Sequence, residues 1–140
     1  MITYELAGLD VPQAHGLLLS AVAPRPIALV SSLDADGRPN LAPFSYFNVF
    51  STRPPILIVG PNRSGRTGEQ KDTVLNAQEV AEVVINVVTH DLVQQMNLAG
   101  AEMPRGANEF ELAGLTPLAA ERVRPFRVTE SPVQIECRVR

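Results

Sequence analysis

Twelve prolines in 140 residues restrict this chain more than any other feature. Average usage of ~5% would give about seven. Each proline removes a backbone donor and breaks a helix interior, so long helices are excluded from most of the chain. Three stretches escape. Asp10 can cap a helix with Pro12 in its first turn, and Leu17, Leu18, Ala21 and Val22 recur at helical spacing until Pro24 stops it. A second helix is predicted over Asp72 to Val80, which has a capping start and helix-forming content.

The remaining patterns read as strands. Ile27-Ala28-Leu29-Val30 leads through the turn residues Asp34-Ala35-Asp36-Gly37 into a second strand near Leu41, which makes a hairpin. Ile56 to Val59, Val83 to Val88 and Val133 to Val139 are further strands. A helix is expected from His90 to Leu98, and a mobile loop from Ala99 to Asn108. Strands in irregular succession with few crossover helices point to a small antiparallel barrel or sandwich rather than a doubly wound parallel sheet. With 45% hydrophobic residues, the length suits one domain with a sizeable core.

Charge narrows the partners. A formal net charge of -3 and pI near 5.3 leave no basic footprint for nucleic acid or an anionic membrane. Cys137 is the only cysteine, so no internal disulfide and no zinc cluster of thiols is available. The run from Leu17 to Ala23 has no basic leader and falls far short of the ~20 residues that span a bilayer. The expectation is a cytoplasmic protein.

Three groups of residues can carry chemistry. Phe44, Tyr46, Phe47 and Phe50 fall within seven positions beside Ser45 and Asn48. In a continuous strand Phe44, Tyr46 and Asn48 share one face and Ser45, Phe47 and Val49 the other, mixing aromatic surface with hydrogen-bonding groups as a flat heteroaromatic ligand requires. An aromatic-rich core strand accounts for the same residues. Lys71, the only lysine against eleven arginines, stands directly before the predicted helix start. There, free backbone N–H groups and the helix dipole favour a phosphate, with Thr73 as a hydroxyl donor and Asn76 one turn on. A solvated Lys71 beside an ordinary cap is the alternative. Pro24-Arg25-Pro26 holds Arg25 extended, either to meet an anion or as a stiff corner. Asn86, inside an apolar run, must find partners if buried, and a backbone bond to a neighbouring strand is the simpler account.

Gly60-Pro61-Asn62-Arg63-Ser64-Gly65-Arg66-Thr67 nearly matches the phosphate-binding pattern G-x-x-x-x-G-K-[ST]. Arg66 replaces its lysine, which makes a nucleotide hydrolase a distant alternative. His15 and His90 are isolated, Asp34-x-Asp36-Gly37 lacks a calcium loop's later Glu, and no dinucleotide fingerprint or nucleophile elbow occurs.

The chain resembles the flavin reductase-like, FMN-binding split-barrel family. The resemblance is carried by Pro24-Arg25-Pro26-Ile27-Ala28-Leu29-Val30-Ser31, by Asp36-Gly37-Arg38-Pro39-Asn40-Leu41-Ala42-Pro43-Phe44-Ser45-Tyr46-Phe47-Asn48, by Pro54-Pro55, Lys71-Asp72-Thr73 and Val84-Ile85-Asn86, and by Asn108-Glu109-Phe110-Glu111-Leu112-Ala113-Gly114-Leu115. It implies a mainly β, Greek-key split barrel with a few short helices, a homodimer, and FMN near the subunit interface. By similarity, Ser45, Tyr46, Phe47 and Asn48 line the isoalloxazine edge, Lys71 and Thr73 hold the phosphate, and Arg25 assists at an anionic part of the cofactor. Asn76 and Arg66 stay open as additions.

The implied activity is an oxidoreductase in which NAD(P)H passes a hydride to flavin N5, with no catalytic side chain and no metal, and with room for a redox partner protein. A non-enzymatic FMN-binding electron carrier is the alternative. The domain, residues 1–140, is expected to end before the last barrel strand and tail, since family members continue beyond Ile135-Glu136-Cys137-Arg138-Val139-Arg140.

Overall fold

The computed structural model describes residues 2–65 and 67–140. Its first helix, α1 (Val11–Ala21), starts as predicted: the Asp10 carboxylate accepts the Gln13 N–H at 2.8 Å, and Pro12 sits in the first turn. None of its residues is buried; Leu18 and Val22 are exposed.

The centre of the fold is β1 (Ala28–Leu33), buried along its whole length. It pairs with β2 (Pro39–Phe44) on one side and with β5 (Glu82–Val87) on the other, and β5 pairs in turn with β8 (Gln134–Arg138). The order is β2-β1-β5-β8, and every described pairing is antiparallel. The predicted turn closes the β1–β2 hairpin: Asp34 accepts the N–H groups of Asp36 and Arg38 at 3.0 and 2.8 Å, and Gly37 takes φ +82°. Two further pairs, β3 (Phe47–Thr52) with β4 (Pro55–Val59) and β6 (Pro117–Leu118) with β7 (Arg127–Val128), stand as separate small sheets. Three helices complete the chain: α2 (Asp72–Val80), α3 (Val93–Ala99) and α4 (Glu109–Ala113).

Alternation along β1 sorts two cores. Leu29 joins Leu41, Met96, Phe110 and Val128 on the side of α3 and α4. Ala28 and Val30 join Phe44 and Ile85 on the other, covered by Phe47, Leu57 and Val59 of the β3–β4 hairpin. A strand sandwiched in this way has no solvent-facing side, which is why its first half reads as an apolar run, with Ser31 and Ser32 buried beyond it. Asn86 is fully buried and takes the backbone bonds expected of it: its amide donates to the Leu29 carbonyl at 3.0 Å and accepts the Val128 N–H at 2.9 Å. It thereby ties β7 to the main sheet.

The aromatic segment departs from its expected geometry. A bend at Ser45 and Tyr46 separates β2 from β3, and Phe44 and Phe47 pack into the same core. A continuous strand would put them on opposite faces. The loop begins one residue later than predicted, because α3 includes Ala99, and it ends where expected, with α4 beginning at Glu109. No helix among the described residues is long and apolar enough to cross a membrane. The Asn86 pairing yields a measurable expectation: Asn86→Leu strands the buried Val128 N–H and should cost about 1–3 kcal/mol. Urea unfolding should show a lower midpoint with an unchanged slope; an unchanged midpoint would contradict the assignment.

Candidate functional site

The start of α2 is set by polar contacts to the β1–β2 hairpin. Asn40 donates to Ser32 Oγ at 3.1 Å and to Thr73 Oγ1 at 3.0 Å, and Asn76 donates to the same Ser32 oxygen at 3.1 Å. All four side chains are buried. This seam pins Asn76 as a structural group, while Thr73 spends a lone pair on Asn40 and keeps its own hydroxyl proton to donate.

Lys71 is the N-cap residue in extended conformation, and its side chain does not cap the helix. The Lys71 carbonyl takes the Val74 N–H at 2.9 Å, the Asp72 and Thr73 N–H groups receive no bond from the Lys71 side chain, and Asp72 takes the favourable acidic position in the first turn. The Lys71 ammonium lies 5.6 Å from the centroid of the Phe44 ring, a cation–π contact. Phe44 immediately precedes Ser45, so this contact joins the two groups the sequence singles out.

A cleft of about 330 Å³ opens at this point. Its walls are the start of α2, the strand β2 at Asn40, Ala42 and Pro43, and the segment from Ala99 to Arg105. The strand β2 lies at the edge of the sheet, where outward N–H groups invite foreign pairing. Its outward positions alternate with those bonded to β1. Leu41 faces out, and so do Pro39 and Pro43, which have no N–H to leave bare. The Leu41 N–H is met by Glu109 Oε2 at 3.0 Å.

Glu109 was quoted above only as part of the resemblance and not as a site residue. It is 7% exposed and lines the cleft, and among the described residues it accepts only from Leu41 and its own amide. Burial pushes its carboxyl above the usual carboxylate range, against the lowering effect of the Leu41 N–H, and nearby Asp72 pushes the same way as burial. The legible signal was the Pro-x-Leu-x-Pro spacing of residues 39–43, which marks an edge strand with one donor in need of an acceptor.

Arg25 is committed to α1. Its guanidinium donates to the Leu19 carbonyl at 2.9 Å and to the Val22 carbonyl, at the end of the helix. Arg25 Nε also approaches Ser45 Oγ at 3.4 Å. Tyr46 is half-buried and meets His15 edge-on at 6.1 Å between ring centroids. Asn48 is exposed and bonds locally to the Val49 N–H at 2.8 Å. The structure thus brings Lys71 and Thr73 into one cleft and Arg25, Ser45 and Tyr46 into a neighbouring group, with Phe44 between them. Phe47 turns its ring into the core.

The remaining candidates dissolve. Asp34 and Asp36 both pair with Arg38, at 2.6 and 2.8 Å, so this segment is a closed turn, in line with its lack of a calcium loop's later Glu. The glycine-rich segment after β4 does not open a helix, since α2 starts only at Asp72, and the strand it follows is antiparallel to β3. A phosphate-binding loop needs the opposite on both counts. Arg66 lies outside the described residues. No group of metal-ligating side chains occurs among the described residues.

Comparison with known proteins gives the family and the fold. Residues 20–140 match the family model of the flavin reductase like domain. An uncharacterised protein of Aquifex aeolicus is 43% identical over 131 residues, which cover 93% of this chain and 66% of that protein. The structure of nitrilotriacetate monooxygenase component B from Bacillus cereus superposes with a TM-score of 0.92 at 34% identity, covering 99% of this chain and 67% of that one. A flavin reductase-type protein with a split barrel domain from Shewanella frigidimarina, at 21% identity, TM-score 0.78 and coverage of 95% and 64%, shares the fold. The chain belongs to the flavin reductase-like family and has its split-barrel fold. It spans just under two thirds of the length of the Aquifex relative.

Glu109 gives a prediction with a definite sign. A carboxyl whose folded pKa is raised lends its full stability below the unfolded pKa and loses it as pH rises through the folded value. Wild type should therefore lose stability relative to Glu109→Gln as pH rises from about 4, the ordinary glutamate range, through neutrality. Paired urea titrations across that range test this, and a stability difference independent of pH would contradict it.

Proposed function

We propose that this chain is an FMN-binding oxidoreductase that reduces its flavin with NAD(P)H. One observation carries the reading: Lys71 stands at a helix start that its side chain leaves uncapped, at the mouth of a 330 Å³ cleft, with its ammonium on the ring of Phe44. The donors present fit a phosphomonoester. Lys71 supplies charge, the Thr73 hydroxyl and the first-turn amides of α2 supply hydrogen bonds, and the helix dipole adds to both.

The Ser45 to Asn48 segment follows Phe44 directly and lies along the edge of the ring system. Ser45, Tyr46 and Asn48 offer polar groups there. Phe47 anchors the segment through its buried ring and contributes main chain, and Arg25 acts beside Ser45. Bound flavin supplies the redox chemistry by accepting a hydride from the nicotinamide, and no side-chain acid or base is called on for that transfer. The protein positions the ring and balances its charge.

The likeness to component B of a monooxygenase supports a chain that works with a second component. Apolar residues exposed on the β3–β4 hairpin support a homodimer: Val49, Phe50 and Ile58 are 61, 72 and 49% exposed.

Two measurements test the proposal. Lys71→Ala should weaken FMN binding about ten- to hundred-fold and leave riboflavin binding nearly unchanged, because only FMN carries the phosphate. Equal losses for both flavins would reject the contact. Anaerobic addition of NADH or NADPH to the flavin-loaded protein should bleach the flavin absorbance promptly. A bound flavin that dithionite reduces and neither nicotinamide does would favour the electron carrier instead.

A further inference from the structure

Among the described residues that line the cleft, Lys71 and Arg105 stand beside the carboxyls of Glu69, Asp72 and Glu109. A phosphomonoester is close to a dianion at neutral pH, and one ammonium in such a wall leaves much of that charge unanswered. The other cation in the lining, among the described residues, is Arg105, whose guanidinium reaches Asp72, the residue after Lys71.

Arg105 differs from its neighbour Arg38 in how firmly it is held. Arg38 forms close ion pairs with Asp34 and Asp36 at 2.6 and 2.8 Å. The Arg105 guanidinium stands 3.7 Å from Asp72 and 3.4 Å from Glu79, with 41% of the side chain exposed. Charge-assisted bonds of full strength are nearer 2.7–2.9 Å. Arg105 is therefore parked beside the start of α2 by two long contacts, and Gly106, at φ +85°, takes the left-handed turn that directly follows it. A guanidinium presents two parallel N–H groups that match two phosphate oxygens, which an ammonium cannot do.

We infer that Arg105 is the second anion-binding residue of the cleft. On binding, its guanidinium gives up Glu79 and takes two oxygens of the phosphomonoester, while Lys71 and the α2 amides hold the same group. Asp72 keeps the guanidinium at the α2 start until the anion arrives. The inference rests on the reading of the Lys71 end as the phosphate site, and it extends that reading to a two-cation clamp selective for a doubly charged, terminal phosphate.

The test compares FMN and riboflavin affinities, by flavin fluorescence, in wild type, Arg105→Ala, Arg105→Lys and Lys71→Ala. Arg105→Ala should weaken FMN at least about ten-fold without moving riboflavin, and Arg105→Lys should recover less than half of that loss on a logarithmic scale. FMN bound by Arg105→Ala as tightly as by wild type would overturn the inference. So would equal weakening of both flavins, which is the signature of a tether between the loop and α2. If Arg105→Ala lowers the FMN-to-riboflavin ratio and Lys71→Ala does not, Arg105 stands and the Lys71 assignment falls. The reverse pattern removes Arg105 alone, and a wild type that binds neither flavin removes both.

Discussion

The amide of Asn40 is the small group on which the site depends. It reaches from the edge strand β2 to Ser32 on β1 and to Thr73 on α2, so one side chain fixes a helix start against a hairpin. Without that bond, Thr73 would lose the partner that orients its hydroxyl, and Lys71 would lose its place over Phe44. The energetic stake is high because all of these groups are buried. A buried polar seam is stable only when each member is satisfied, and the same requirement makes its geometry unique.

Local features were legible in the sequence because they are decided locally. The Asp72–Val80 helix appears where capping and composition placed it, and Asp34 with Gly37 makes the expected turn. The antiparallel sheet followed from proline density and short apolar runs. Lys71 stood out for chemical reasons, as a lone ammonium before a helix, and the structure gives it a cleft. The bend at Ser45 was not legible, because it answers to a tertiary demand: Phe44 and Phe47 must enter one core. Glu109 and Arg105 were missed for a related reason. Glu109 lies 68 residues from the amide it satisfies, and Arg105 sits in a segment whose composition reads only as loop.

The edge strand shows how protection and function share one place. Pro39 and Pro43 deny the outside world two of the three outward donors, and Glu109 occupies the third. This leaves the strand's outer side free to serve as a cleft wall without becoming a pairing edge. It also leaves a buried carboxyl close to an anion site, so the cations facing it have to be well placed. A split barrel of the flavin reductase-like family thus builds its candidate site from an edge, a helix start and a loop.

The most direct measurement of the central claim is amide NMR of the uniformly labelled protein titrated with FMN and, separately, with riboflavin. The account predicts that the backbone amide resonances of Asp72 and Thr73 move strongly with FMN and hardly at all with riboflavin, since the phosphate sits on those N–H groups. Saturated FMN binding that leaves both resonances where riboflavin leaves them would contradict it.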